Sequence, residues 1–262
     1  MTSQRADPAG DLQVATVGPA RVLTLHRPTR RNALTPELGS ALGRELEAAA
    51  GDPDVRAVVL RGAGGHFCVG LDLKWFATLG DDPGAAALQQ GLFEFQQAVL
   101  GIIACPLPVV AALEGSVAGF GLDLALACDV RVAADTLTVA SSFARMGLIP
   151  DGGSTYTLPR LVGPEWAARI HLAGEAVDAR QAEAIGLVSR VTTTHGLEDV
   201  VAELVAEIAR GGRESVAGIK RLLRDDDRAA LETRLAAEGK AQVEALGSAE
   251  FRERLRGFLG QR

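Results

Sequence analysis

One stretch limits the possible folds more than any other: Val109–Asp129, VVAALEGSVAGFGLDLALACD. Pro108–Ala112 is a short, apolar, β-rich run with the look of a buried strand. Glu114, Gly115 and Ser116 interrupt it, and Ala118-Gly119-Phe120-Gly121 leads into Leu122–Cys128, which is apolar nearly all round. A helix without a polar face belongs in a core. Its first amides have no partner within the helix and sit at the positive end of the helix dipole. Small residues beside them let a ligand reach the bare backbone. A helix start of this kind binds anions, or stabilises an oxygen on which negative charge develops.

A second stretch has the same character. Val58–Arg61 is apolar and β-rich, Gly62-Ala63-Gly64-Gly65 breaks it, and His66–Leu73, HFCVGLDL, follows as a helix start. Two amide-donating turns in one chain suggest two donors aimed at one oxygen. The chain has 262 residues, 47% of them apolar and 23% charged, which is enough for one large core. A net charge of −6 with no basic tract argues against a nucleic-acid partner, although a polyphosphate ligand needs only a few local Arg or Lys. Pro106, Pro108, Glu114 and Asp123 cut the apolar runs short of membrane-spanning length. MTSQRADPAGD shows no export signal, and Cys68, Cys105 and Cys128 sit in apolar surroundings, so reduced core thiols and a cytoplasmic location are expected. The four His are scattered, no Cys pair has zinc spacing, and neither a phosphate-binding loop nor a full dinucleotide fingerprint is present.

Leu12–Val17 and Ala20–His26 flank Gly18 as a predicted β-hairpin. Thr35-Pro36 opens a helix with Leu38, Leu42 and Leu46 on its apolar stripe and Gly51 at its end. Further expectations are a strand at Val55–Arg61, a helix at Leu88–Ala104, and paired strands at Val130–Ala134 and Leu137–Ala140. Leu148–Tyr156 reads as a loop. Helices follow at Leu158–Leu161, Pro164–Ala173 and Asp178–Ala184, then a strand at Leu187–Val191. Beyond Leu197 the pattern is helical throughout: 197–210, 214–224, 227–246 and 248–259. The recurrence of strand pairs and helices in the first part hints at a repeating unit.

FCVGLDL at 67–73, GSVAGFGLDLALACD at 115–129 and GLIPDGG at 147–153, with HRPTRRNAL at 26–34, resemble in order the motifs of the enoyl-CoA hydratase/isomerase (crotonase) superfamily. The resemblance runs from about Val14 onward. It implies an α/β fold: a crotonase-like spiral of repeated ββα turns over residues 1–195, carrying an acyl-CoA site. A C-terminal helical region, 196–262, would build a homotrimer or a dimer of trimers. It also implies an enzyme without metal or separate cofactor, coenzyme A being part of the substrate. The oxyanion-hole amides fall on Leu71 and Phe120. Contacts to CoA and substrate fall on Arg30, Arg31, Ala33, Cys68, Gly70, Leu71, Asp72, Leu73, Lys74 and Gly119. The ending Phe258–Arg262 resembles a family ending in which Gln261 stands where Lys is usual, leaving a phosphate contact to Arg262.

The resemblance also locates the acid/base chemistry. Hydratases of the family carry two Glu; here the first position is Asp123 and the second is Phe143, which cannot carry a proton. Asp123 lies near a helix N-terminus, which should hold its pKa down. Asp151, beside Leu148, Ile149 and Pro150, should be desolvated and its pKa raised. A single carboxylate in this loop matches the family's double-bond isomerases, where one group takes a proton from one carbon and returns it to another. The competing role for Asp151 is to cap the next helix. The favoured expectation is enoyl-CoA isomerisation with Asp151 and Asp123 as candidate catalytic residues. Hydration of a 2-enoyl-CoA and a non-catalytic acyl-CoA-binding protein are the alternatives. Trp75, Phe76, Phe93 and Phe95 are acyl-pocket lining or core.

Overall fold

The computed structural model describes residues 4–7, 10–80 and 83–260. The strands are β1 (Gln4–Ala6), β2 (Leu12–Val17), β3 (Ala20–Leu25), β4 (Ala57–Gly62), β5 (Val109–Leu113), β6 (Ser116–Ala118), β7 (Val130–Ala134), β8 (Thr138–Ala140), β9 (Val177–Asp178) and β10 (Arg190–Thr192). The helices are α1 (Pro36–Gly51), α2 (Leu73–Ala77), α3 (Gly84–Ala104), α4 (Phe120–Ala127), α5 (Phe143–Met146), α6 (Ser154–Val162), α7 (Pro164–His171), α8 (Ala179–Ala184), α9 (Leu197–Arg210), α10 (Arg213–Leu246) and α11 (Ala249–Gly260). No helix among the described residues is long and apolar enough to cross a membrane.

A seven-stranded sheet runs β1-β2-β3-β4-β5-β7-β10, antiparallel through the first three strands and parallel from β3 onward. A smaller sheet joins β6, β8 and β9. The repeating unit is visible in how the chain commutes between the two. After β4, Cys68 bridges Val117 of β6; after β5 the chain forms β6; after β7 it forms β8, parallel to β6. A helix follows each time, so glycine turns at equivalent places in successive units stack beside one another. Residues alternate across the large sheet as strand geometry requires. Val58, Leu60, Val109 and Ala111 face the main core, whereas Ala57, Val59, Val110 and Ala112 face α9 through Leu197, Val201 and Val205. Both faces being covered explains why these strands are apolar without alternation.

The β2–β3 hairpin, the Thr35 cap on α1 and the Asp178 cap on α8 are as expected from sequence. Four expectations change. The stretch 148–156, expected as a loop, is helical from Ser154, where α6 begins. Val130–Ala134 and the following strand do not pair; Leu137 N donates to Ala134 O in a turn that hands the chain to the other sheet. The last strand is Arg190–Thr192, starting three residues later and ending one later than expected, with Ser189 N donating to Arg131 O just before it. The helices expected at 214–224 and 227–246 are one helix of 34 residues, α10. Asp225-Asp226-Asp227 lowers helix propensity only modestly, and no Pro or internal Gly is there to break the chain's path.

Candidate active site

Two loops meet at one pocket. Cys68–Leu73 is pinned by its neighbours: Leu34 N donates to Gly70 O (2.7 Å), Asp72 N to Leu34 O (2.9 Å), and Ala118 N to Cys68 O (2.9 Å). The second loop, Ala118-Gly119-Phe120, opens α4. They touch: Gly70 has φ +85°, and a Cβ placed there would lie 2.8 Å from Phe120 N. Glycine at 70 is therefore required both by backbone conformation and by the closeness of the other loop. Leu71 and Phe120 line the same pocket, and neither amide donates to a backbone carbonyl among the described residues. Leu71 is not itself at a helix start, as the sequence suggested. α2 begins two residues later, and its first amides, Lys74 N and Trp75 N, are taken by Asp72.

The pocket is a cavity of about 90 Å³. Trp75, Phe76, Leu92, Phe95, Phe143 and Leu246 are among the apolar residues of its wall. Phe93, by contrast, is exposed. Phe251 of α11 braces the wall from behind, edge-on to Phe76 at 5.2 Å. Among the described residues, Ser142, Asp151 and Gln242 are the polar side chains lining it, and no Lys, Arg or His does.

Asp151 is 7% exposed, and its Oδ1 is buried with no hydrogen-bond partner. Its Oδ2 accepts from Gln242 Nε2 (3.1 Å), and its backbone carbonyl accepts from Gln96 Nε2 (3.0 Å). It does not cap α6. The cap position is Gly153, and the amides at that helix start are held by two distant carboxylates. Asp123 Oδ1 accepts from Ser154 N (3.0 Å), while Glu238 accepts from Gly153 N (2.7 Å) and Thr155 N (3.1 Å). Burial pushes the Asp151 carboxyl well above the usual range, and the nearby Asp123 adds to it; the Gln242 hydrogen bond opposes them.

Asp123 departs from expectation. Its place in the first turn of α4 was expected to hold its pKa down. Instead it is pushed up to about 7, by burial first and by Glu238 second, against the hydrogen bonds from Ser154. It is 1% exposed and does not line the pocket. It lies behind Gly152, where any Cβ would strike the Asp123 side chain.

The remaining expected residues divide. Leu71, Leu73, Gly119, Phe120 and Asp151 line the pocket; Cys68, Gly70, Asp72, Lys74, Arg30, Arg31 and Ala33 do not. Cys68 is fully buried with its thiol pushed up to about 12, chiefly by desolvation, so it is no nucleophile. Burial alone would raise the Asp72 carboxyl, but the Trp75 amide and the Arg27 guanidinium (2.8 Å) hold it below the usual range. Arg31 is exposed on the 27–33 loop, with Arg30 half-buried beside it and Ala33 buried. Gln261 and Arg262 lie outside the described residues.

Several residues that sequence reading passed over build the site. Asn32 staples the 27–33 loop to the first glycine turn: Arg27 N donates to its Oδ1 (2.9 Å), and its Nδ2 reaches Ala63 O (2.9 Å) and His66 O (2.6 Å). Arg27 joins Asp11, Asp72 and the carbonyl of Ala33. Gln96, Glu238 and Gln242 hold the 149–155 segment. Their only sequence signal is a polar residue on the apolar side of a helix.

The model for the enoyl-CoA hydratase/isomerase family matches residues 19–262. The chain belongs to the enoyl-CoA hydratase/isomerase family. A probable enoyl-CoA hydratase from Rhodobacter capsulatus is 36% identical over 92% of this chain and 91% of its own length. The 1,2-epoxyphenylacetyl-CoA isomerase of Escherichia coli is 32% identical over 92% of both chains. The crystal structure of an enoyl-CoA hydratase from Mycobacterium avium subsp. paratuberculosis superposes with a TM-score of 0.87 at 30% identity, covering 95% of this chain and 99% of that one. The two-sheet body with its C-terminal helices is thus the crotonase fold. The chain is an enzyme of a family that contains both hydratases and isomerases, and an acyl-CoA substrate is consistent with that membership.

Proposed function

We propose that the enzyme shifts the double bond of an enoyl-CoA, with Asp151 as the single proton carrier. The observation that carries this reading is the state of Asp151 Oδ1: buried, unpartnered, and in the wall of an apolar pocket that no second carboxylate lines among the described residues. In the reaction, the C2–H bond of a 3-enoyl thioester breaks and its proton moves to Asp151. The electron pair spreads over C2–C4 and the thioester oxygen. The amides of Leu71 and Phe120, adjacent and free of backbone partners, are suited to hold that oxygen as charge develops. Asp151 then delivers the proton to C4, leaving a 2-enoyl thioester. Atoms balance without water or any other reactant. A desolvated carboxylate is a stronger base than one in water, which favours the first transfer.

Burial of the acyl group against Trp75, Phe76 and Phe95 fits an apolar chain or ring, and the CoA part would extend outside it to the 27–33 loop with Arg30 and Arg31. Membership of trimers or hexamers through α10 and α11 and a cytoplasmic location complete the reading. Hydration is the second reading, favoured by the names of several relatives. Among the described residues the other carboxylates near Asp151 are Asp123, which sits behind Gly152, and Glu238, which is held by Gly153 N and Thr155 N; neither lines the pocket.

The test is to supply 3-enoyl-CoA and 2-enoyl-CoA separately. Isomer from the first, no 3-hydroxyacyl-CoA from the second, and loss of turnover by about 10³-fold or more in Asp151→Asn support the reading. Unchanged isomerisation by Asp151→Asn removes Asp151 from the mechanism, and turnover of neither thioester removes the activity.

A further inference from the structure

Gln242 of α10 is 2% exposed and lies 91 residues from Asp151 in sequence. Its two ends are fixed by what they meet. Ile149 N–H can only donate, and it lies 2.9 Å from Gln242 Oε1. The amide NH2 must therefore face the other way, onto Asp151 Oδ2 at 3.1 Å. The bond to Ile149 orients the bond to Asp151.

From this geometry we propose that Gln242 is the positioning residue of the proton transfer. By occupying Oδ2 it leaves Oδ1 as the one oxygen able to take the substrate proton, and by donating to the carboxylate it favours the ionised form that acts as base. The role rests on Asp151 being the proton carrier, as set out above. Asp151 is acted on by two charged groups, Asp123 of α4 and Glu238 of α10, both of which disfavour its ionised form. From α3 it meets the uncharged Gln96. Gln242 is the side-chain donor to the carboxylate in this acidic surrounding, while Gln96 holds the same segment only through its backbone.

The separation of those two contacts gives the experiment. Gln242→Met removes donor and acceptor with little change of shape. Gln242→Glu keeps an acceptor for Ile149 N–H and, once ionised, removes the donor. Gln96→Leu loosens the same segment without touching the carboxylate. The acidic limb of kcat/KM against pH reports ionisation of Asp151 in the free enzyme. Both Gln242 variants are expected to move that limb up by about one pH unit or more, with kcat near neutrality falling about tenfold or more. KM and the affinity for a saturated acyl-CoA should stay within about twofold of the parent. Gln96→Leu is expected to lower thermal stability with the limb in place. An unmoved limb in both Gln242 variants, with Asp151→Asn inactive, overturns the positioning role and leaves the proposed activity standing. The same limb shift in Gln96→Leu also overturns it, because loosening of the segment would then suffice. Turnover that survives Asp151→Asn overturns both readings.

Discussion

Asp123 makes a quantitative test of how the core under the active site is built. It is wholly buried, its Oδ2 has no partner, and its carboxyl is pushed up to about 7 by burial and then by Glu238. A group whose folded pKa lies above its unfolded value contributes stability below the unfolded pKa and loses it as pH rises through the folded one. A rise from 3.8 to about 7 corresponds to a loss of about 4 kcal/mol between pH 4 and pH 8. Asp123→Asn keeps an oxygen for Ser154 N–H but cannot ionise. The amide placed where Oδ2 was unpartnered costs about 1–3 kcal/mol at every pH. The variant should therefore be the less stable protein at pH 4 and gain steadily on the parent as pH rises. By pH 8 it should overtake it. Urea unfolding at fixed protein concentration across pH 4–9 reads the difference directly. A difference that stays constant over that range would refute the reasoning, because it would mean that Asp123 titrates alike in the folded and unfolded chains.

Three further expectations follow from the pocket and its supports. Gly70→Ala combines a φ of +85° with a Cβ 2.8 Å from Phe120 N; it should cost about 1–3 kcal/mol in stability and reduce kcat more than it raises KM. Phe251→Ala, at a fully buried position edge-on to Phe76, should cost about 3–5 kcal/mol in urea unfolding and raise KM for long acyl chains most. Since no Lys, Arg or His among the described residues lines the pocket and Asp151 does, acyl-CoAs ending in a carboxylate should bind at least about 100-fold more weakly than apolar ones of the same length in direct competition.

What could be read from sequence was what is encoded locally. The hairpin about Gly18 and the caps at Thr35 and Asp178 each rest on a few adjacent residues with a direct backbone consequence. The two glycine turns were legible because small residues after apolar runs leave few conformations open. What they do together was not, since their adjacency is created by the stacking of β6 on the Cys68 segment. The destination of β8 was hidden for the same reason: a three-residue strand carries no mark of which sheet it joins. The carboxylate cluster was misjudged at Asp123 because the helix that donates to it is α6, not its own, and because Glu238 approaches from 115 residues away. Gln96 and Gln242 drew no reading from sequence, because among the many polar residues of α3 and α10 nothing local marks the ones that the tertiary fold turns inward.

The most direct measurement follows one atom of hydrogen. A 3-enoyl-CoA carrying deuterium at C2 is converted in ordinary water and the 2-enoyl product is mapped by mass spectrometry and NMR. Transfer by one carboxylate in a pocket walled by Trp75, Phe76, Phe95 and Phe143 predicts deuterium at C4 in a substantial share of the product, and no conversion by Asp151→Asn. Product hydroxylated at C3, or C4 deuterium transferred undiminished by Asp151→Asn, would contradict it.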